Sequence, residues 1–225
     1  MNAISAVSPL TTPHIAEMFK HLQYWIDNFE AEHISDSKKA ILQAFIKIAV
    51  SDGYSAVTIR SIARVVAIKP PTIYSHFEQG KEQIVSEALR LHAYQYSSKV
   101  IDAFEGCQTP KSYWDALVKL HASQIIVCQD NEMWDLFMNM ERINHVLADD
   151  LHQQIMQWND FYDSTFQSIA LDLGFPCTLV KARAIRQLLD SSARWWQWDG
   201  TEENLKIACD YANKLALTIL AMHES

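Results

Sequence analysis

Residues 38–85 read KKAILQAFIKIAVSDGYSAVTIRSIARVVAIKPPTIYSHFEQGKEQIV. Apolar residues recur here at helical spacing, and the punctuation between them is tight. Ile41, Leu42, Phe45, Ile48 and Ala49 form one stripe, and Gly53 stands where a helix end takes a glycine. Thr58 is placed to cap a short helix reaching Val66, with Ile59, Ile62, Ala63 and Val66 turned inward. Ala63 is small enough to let a second helix cross closely. Ala67-Ile68-Lys69 makes the turn, and Pro70-Pro71 opens the next helix, where N–H groups would go unpaired anyway. Ile73 and Phe77 anchor that helix one turn apart, which leaves Lys69, Thr72, Ser75 and His76 outward. Two short helices joined in this way predict a helix-turn-helix, whose second helix enters the DNA major groove.

The charge pattern agrees. The 225 residues carry a formal charge of −8, which taken alone argues against a nucleic-acid partner. Split by segment, residues 35–90 hold eight bases against five acids, whereas residues 91–225 hold ten against eighteen. A basic head on an acidic body is the electrostatic footprint of a small DNA-reading module.

Outside the head the periodicity predicts helix after helix, with no period-two run of useful length, so the fold class is all-α. The expected helices are His14–Glu32, Lys38–Asp52, Thr58–Val66, Pro70–Phe77, Lys81–Phe104, Lys111–Cys128, Glu132–Val146, Asp149–Leu173, Thr178–Trp198 and one capped by Thr201 that runs to His223. The five glycines never lie within one short loop, which excludes P-loop and dinucleotide fingerprints. Four widely spaced cysteines offer no C-x-x-C pair, so reduced thiols are expected. The first ten residues lack the bases and apolar run of a secretory leader, and no membrane-length apolar run appears. A cytoplasmic protein without a membrane partner is the expectation.

The quoted stretch resembles the DNA-binding domain of TetR-type transcriptional repressors. The resemblance rests on the apolar first helix with Gly53-Tyr54, on Thr58-x-x-x-Ile62-Ala63, on Thr72-Ile73-Tyr74-x-His76-Phe77, and on Lys81-Glu82. It implies a three-helix reading domain over residues 37–85 and a helical ligand-binding and dimerisation domain over residues 86–225. It further implies that Thr58 and Arg60 touch phosphates, that Lys69, Pro71 and Thr72 sit in the groove, that Tyr74 and His76 hydrogen-bond phosphate, and that Lys81 adds a cation at the next helix start. The implied partners are double-stranded DNA with a palindromic operator, a second copy of the chain, and a small-molecule effector. Two residues depart from the family pattern. Ala67 stands where the family commonly has glycine, and an alanine held at left-handed φ costs about 1 kcal/mol. Lys69 replaces the usual serine cap, losing a cap contact and adding charge at the groove.

In the body, the last two helices carry stripes that serve either a dimer or a core. These are Leu205, Ala208, Cys209, Ala212, Leu215, Ala216, Ile219 and Leu220, and opposite them Leu179, Ala182, Ile185, Leu189, Ser192 and Trp196. Trp134, Phe137, Met138, Trp158, Tyr162, Trp195 and Trp196 are candidate linings for a flat, largely apolar effector, although aromatic residues at helical spacing also pack cores. Glu141 or Asp135 would add preference for a cation. His145, Asp149 and His152 share a helical face, but a helix start at Asp149-Asp150 breaks it, so no metal site, catalytic residue or cofactor is expected. The alternative to a regulator is an all-α enzyme or carrier using the aromatic region. Residues 1–36 form an N-terminal extension with an amphipathic helix, packed on the protein's own body or serving the dimer or the reading domain.

Overall fold

The computed structural model describes residues 12–28, 34–127 and 149–222. The described residues contain ten α-helices and no strand: α1 Pro13–Asn28, α2 Asp36–Asp52, α3 Ile59–Val65, α4 Pro70–His76, α5 Lys81–Phe104, α6 Pro110–Val127, α7 Asp149–Asp172, α8 Leu179–Asp190, α9 Ser192–Trp195 and α10 Glu202–Ala221. A short 3₁₀ turn, Tyr54–Ala56, joins α2 to α3. The expected helix Glu132–Val146 lies outside the described residues.

These elements fall into two compact units, one holding residues 27–28, 34–96 and 149–155, the other residues 12–26, 97–127 and 156–222. The first is organised by a core in which Leu42, Phe45, Ile62, Ile73, Phe77 and Ile84 have no measurable exposure. Phe77 roofs this core, and the Lys38 ammonium lies 5.0 Å above its ring while pairing with Glu87 at 3.2 Å. One lysine thus ties α2 to α5 over the aromatic end of α4.

The second unit contains α1. Ile15, Met18 and Leu22 are buried, Phe19 meets Phe104 and Tyr113 edge-on at 5.8 Å each, and the Ile15 N–H donates to Asp172 Oδ2 at 2.9 Å. A carboxylate in the last turn of its own helix faces an unfavourable dipole; Asp172 instead serves the first turn of α1, where negative charge is welcome. Helix α1 of the extension therefore packs on the protein's own body.

Further inside, Asp163 on α7 has no exposed surface, and its two oxygens accept from Arg186 Nε and from Arg183 Nε at 2.8 Å. Arg186 also reaches Asp190 at 2.9 Å. At the other end of α8, the Lys181 ammonium donates to the carbonyls of Pro176, Leu220 and Met222, capping the C-terminus of α10.

The predicted single helix over Thr178–Trp198 is two helices. Ser191 Oγ donates to the carbonyls of Gln187 and Leu188, and the Trp195 indole N–H takes Leu188 O at 3.1 Å. The Leu188 carbonyl, which would have propagated the helix, is diverted, and the backbone turns extended at Trp196. The small-residue stripes also face inward. Ala208, Cys209, Ala212 and Ala216 of α10 and Ala182, Ile185 and Leu189 of α8 are buried within one chain. Leu179 of the predicted stripe is instead outward, together with Val180 (75% exposed), Ile207 and Tyr211.

Replacing Arg186 by Met leaves Asp163 a buried carboxylate with one half-exposed partner. Thermal or urea unfolding should show a loss of about 3–5 kcal/mol, whereas Glu17→Gln, in an exposed and solvent-screened pair, should leave the midpoint where it is.

Candidate nucleic-acid interface

The reading head is built from α3 and α4. Thr58 caps α3 in a reciprocal capping box: its Oγ1 accepts from Ser61 N at 3.0 Å, while Ser61 Oγ accepts from Thr58 N at 2.8 Å. Ile62 and Ala63 are buried, which allows α4 to lie close, and Ile73 and Phe77 fill the crossing. The turn closes with Ile68 N donating to Ala63 O at 3.0 Å.

Ala67 holds φ 56°, the one positive value at a non-glycine residue among the described residues. The left-handed conformation expected where the family has glycine is therefore kept, with its steric cost. The cost expected at Lys69 is smaller than the lost serine contact suggests. Lys69 is the N-cap of α4 and its side chain makes no cap bond, but Pro70 and Pro71 have no N–H to satisfy, and the Thr72 N–H donates to Lys69 O at 2.9 Å. The lysine side chain needs no local role.

Thr58, Arg60, Lys69, Pro71, Thr72 and Tyr74 are all exposed, and His76 is half-buried beside Phe77. Lys81 is placed differently. Its ammonium sits 3.7 Å from the centre of the Tyr54 ring and donates to Tyr54 O at 3.3 Å. Burial lowers its pKa from the ordinary lysine value.

A family model described as "Bacterial regulatory proteins, tetR family" matches residues 41–88, from α2 into α5. Residues 41–88 thus carry a DNA-binding domain of the TetR family of transcriptional regulators. It is 24% identical over 131 residues to the HTH-type transcriptional regulator LmrA of Bacillus subtilis, covering 57% of this chain and 70% of LmrA. A TetR-family regulatory protein from Rhodococcus RHA1 has the same fold with a TM-score of 0.69 at 18% identity, over 85% of this chain and all of that one. The ketosteroid transcriptional regulator KstR2 of Mycobacterium tuberculosis superposes with a TM-score of 0.59 at 17% identity, over 86% and 98% of the two chains.

Outside the matched domain the candidate effector residues fall into separate groups. Trp158 and Tyr162 are buried one turn apart on α7 with rings nearly parallel, 5.7 Å between centres, and His121 of α6 stacks on Tyr162 at 5.6 Å. Trp195 and Trp196 instead pack against Tyr211 of α10, and the Trp196 indole N–H donates to Asn204. Trp134, Phe137 and Met138 lie outside the described residues, as do Asp135, Glu141 and His145. Asp149 is exposed, and among the described residues no three His, Cys, Asp or Glu side chains gather into a metal site. No described helix is long and apolar enough to cross a membrane.

Local sequence could not reveal the polar partners of Tyr162. Asp190 accepts from His121 Nε2 at 2.8 Å, and in the neutral ring His121 Nδ1 then accepts from the Tyr162 hydroxyl at 2.8 Å. These three residues come from α6, α7 and α8, and no short motif joins them.

Ala67→Gly should relieve the turn. Chemical denaturation is expected to show a gain of about 0.5–1 kcal/mol, the steric relief at left-handed φ less the added freedom of an unfolded glycine.

Proposed function

We propose that this chain is a homodimeric, effector-responsive repressor that reads a palindromic operator with α4. The carrying observation is the outward row at the start of α4: Lys69, Pro71 and Thr72 are exposed, and nothing in the helix cap occupies the lysine. Lys69 suits guanine O6 and N7, while Pro71 and the Thr72 methyl suit a thymine methyl. Thr58, Arg60, Tyr74 and His76 serve phosphates, which position the module without specifying sequence. Residues 37–85 thus act as the reading domain and residues 86–225 as the effector and dimer domain of a cytoplasmic, non-enzymatic protein.

A two-fold operator asks for a two-fold protein. The outward faces of α8 and α10, with Val180, Ile207 and Tyr211, supply apolar surface for a second copy. The row Trp158, Tyr162 and His121 supports a flat, largely apolar effector with one polar group. The name of KstR2, a ketosteroid regulator, is consistent with a ligand of that bulk. Effector binding lowers operator affinity through a coupling of about 1–3 kcal/mol.

Selection of duplexes from a randomised pool, with and without candidate apolar ligands, tests the reading. The parent's affinity should fall steeply with salt, as release of counterions from phosphate requires. The double variant Lys69→Ala, His76→Ala should bind the selected duplex at least about tenfold more weakly; equal binding would leave the helix-turn-helix structural and favour a carrier. Sedimentation of Tyr211→Glu should show monomers where the parent shows dimers.

A further inference from the structure

We propose that Lys81 is a positioning residue for DNA binding: folded onto Tyr54, it sets the segment 54–61 that presents Thr58 and Arg60. The inference rests on the reading that Thr58 and Arg60 meet phosphate, and it gives Lys81 a role other than that of a direct phosphate ligand.

The segment is a continuous chain of bonds with Lys81 at one end. Tyr54 opens the 3₁₀ turn, and its carbonyl accepts from Val57 N at 3.1 Å as well as from the Lys81 ammonium. Val57 is buried in the core, which fixes the middle of the segment. Ser61 Oγ then reaches back to the carbonyls of Ala56 and Thr58, each at 2.9 Å, and closes the capping box on Thr58. Between these two anchors, Thr58 and Arg60 are the exposed side chains of the α3 entrance.

The residue before Lys81 makes the same corner a hub for the other helix. Gly80 is buried at φ 66°, and a Cβ there would lie 3.2 Å from Tyr74 Cε1 and 4.0 Å from Ile59 Cδ1. Tyr74 of α4 and Ile59 of α3 thus both close over the glycine, while Lys81 draws in the turn that precedes α3. The start of α5 holds the phosphate-facing ends of both reading helices. An ammonium bonded to a carbonyl and laid on a ring is already committed within the protein. Burial, which lowers its pKa, agrees with that commitment.

The experiment compares the full-length parent, Lys81→Met and Tyr54→Leu. Each is titrated across salt on the duplex the parent selects, and the free proteins are followed by amide hydrogen exchange over residues 54–61. Lys81→Met, which loses both the bond to the Tyr54 carbonyl and the place on the ring, should bind about tenfold more weakly, and Tyr54→Leu, which loses the ring contact alone, should bind more weakly than the parent by about threefold. The double variant should bind no more weakly than Lys81→Met, because removing the ammonium already removes the ring contact. The slope of log affinity against log salt should stay unchanged, and exchange at Val57 should quicken in both single variants without DNA. Loss of about 0.9 from the slope in Lys81→Met, with Tyr54→Leu binding and exchanging like the parent, would make Lys81 a direct phosphate ligand and overturn the proposal. Unchanged affinity in Lys81→Met would overturn it as well. A Tyr54→Leu chain that loses the far-ultraviolet circular dichroism of the parent is replaced by Tyr54→Phe, which keeps the ring and should bind and exchange like the parent.

Discussion

Residues 66–69 have to reverse the chain between two seven-residue helices, and the reversal requires one residue at positive φ. Ala67 takes that place. The rest of the reading head depends on it: with the turn closed by Ile68 on Ala63, α4 crosses α3 over a small side chain, and Ile73 and Phe77 reach a core shared with Phe45 and Ile84. Once those two side chains are buried, the opposite face of α4 has no choice of residues to expose. Recognition is thus a by-product of packing, since an α-helix that buries one stripe presents its complement.

The body solves a different problem. It contains a carboxylate removed from water, and an ion without solvent must be matched by charge and by hydrogen bonds. Two arginines from α8 do this for Asp163, and Asp190 receives the second arginine and His121 in turn. Such an arrangement contributes little net free energy beside an apolar packing of the same volume, yet it tolerates few alternatives. It sets the mutual position of α6, α7 and α8, the helices that carry the stacked row of His121, Tyr162 and Trp158.

Sequence legibility followed the range of the interactions. The cap at Thr58 and the proline start of α4 were readable, because each depends on residues within a few positions, whereas the left-handed Ala67 followed from the resemblance alone. The stripes on α8 and α10 were readable as stripes but not as to what covers them: small residues let helices approach closely whether the neighbour belongs to the same chain or to another. The break at Ser191 escaped because an indole N–H four residues later competes for a helix carbonyl, which periodicity does not register. Lys81 looked like a cation at a helix start, and its actual partner, Tyr54, lies 27 positions away. The triad of Tyr162, His121 and Asp190 was invisible for the same reason, since its members are 41 and 69 positions apart.

The bond from Ile15 to Asp172 has a consequence in time. It spans 157 positions, so during synthesis the first helix is complete long before the residue that caps it exists. At ribosomal rates that interval is roughly 10–30 s. Even Phe104 and Tyr113, the ring partners of Phe19, are made about ninety positions after it, whereas the contacts among residues 41–91 close over short loops as soon as they emerge. The reading head can therefore be folded while the apolar face of the N-terminal helix still waits.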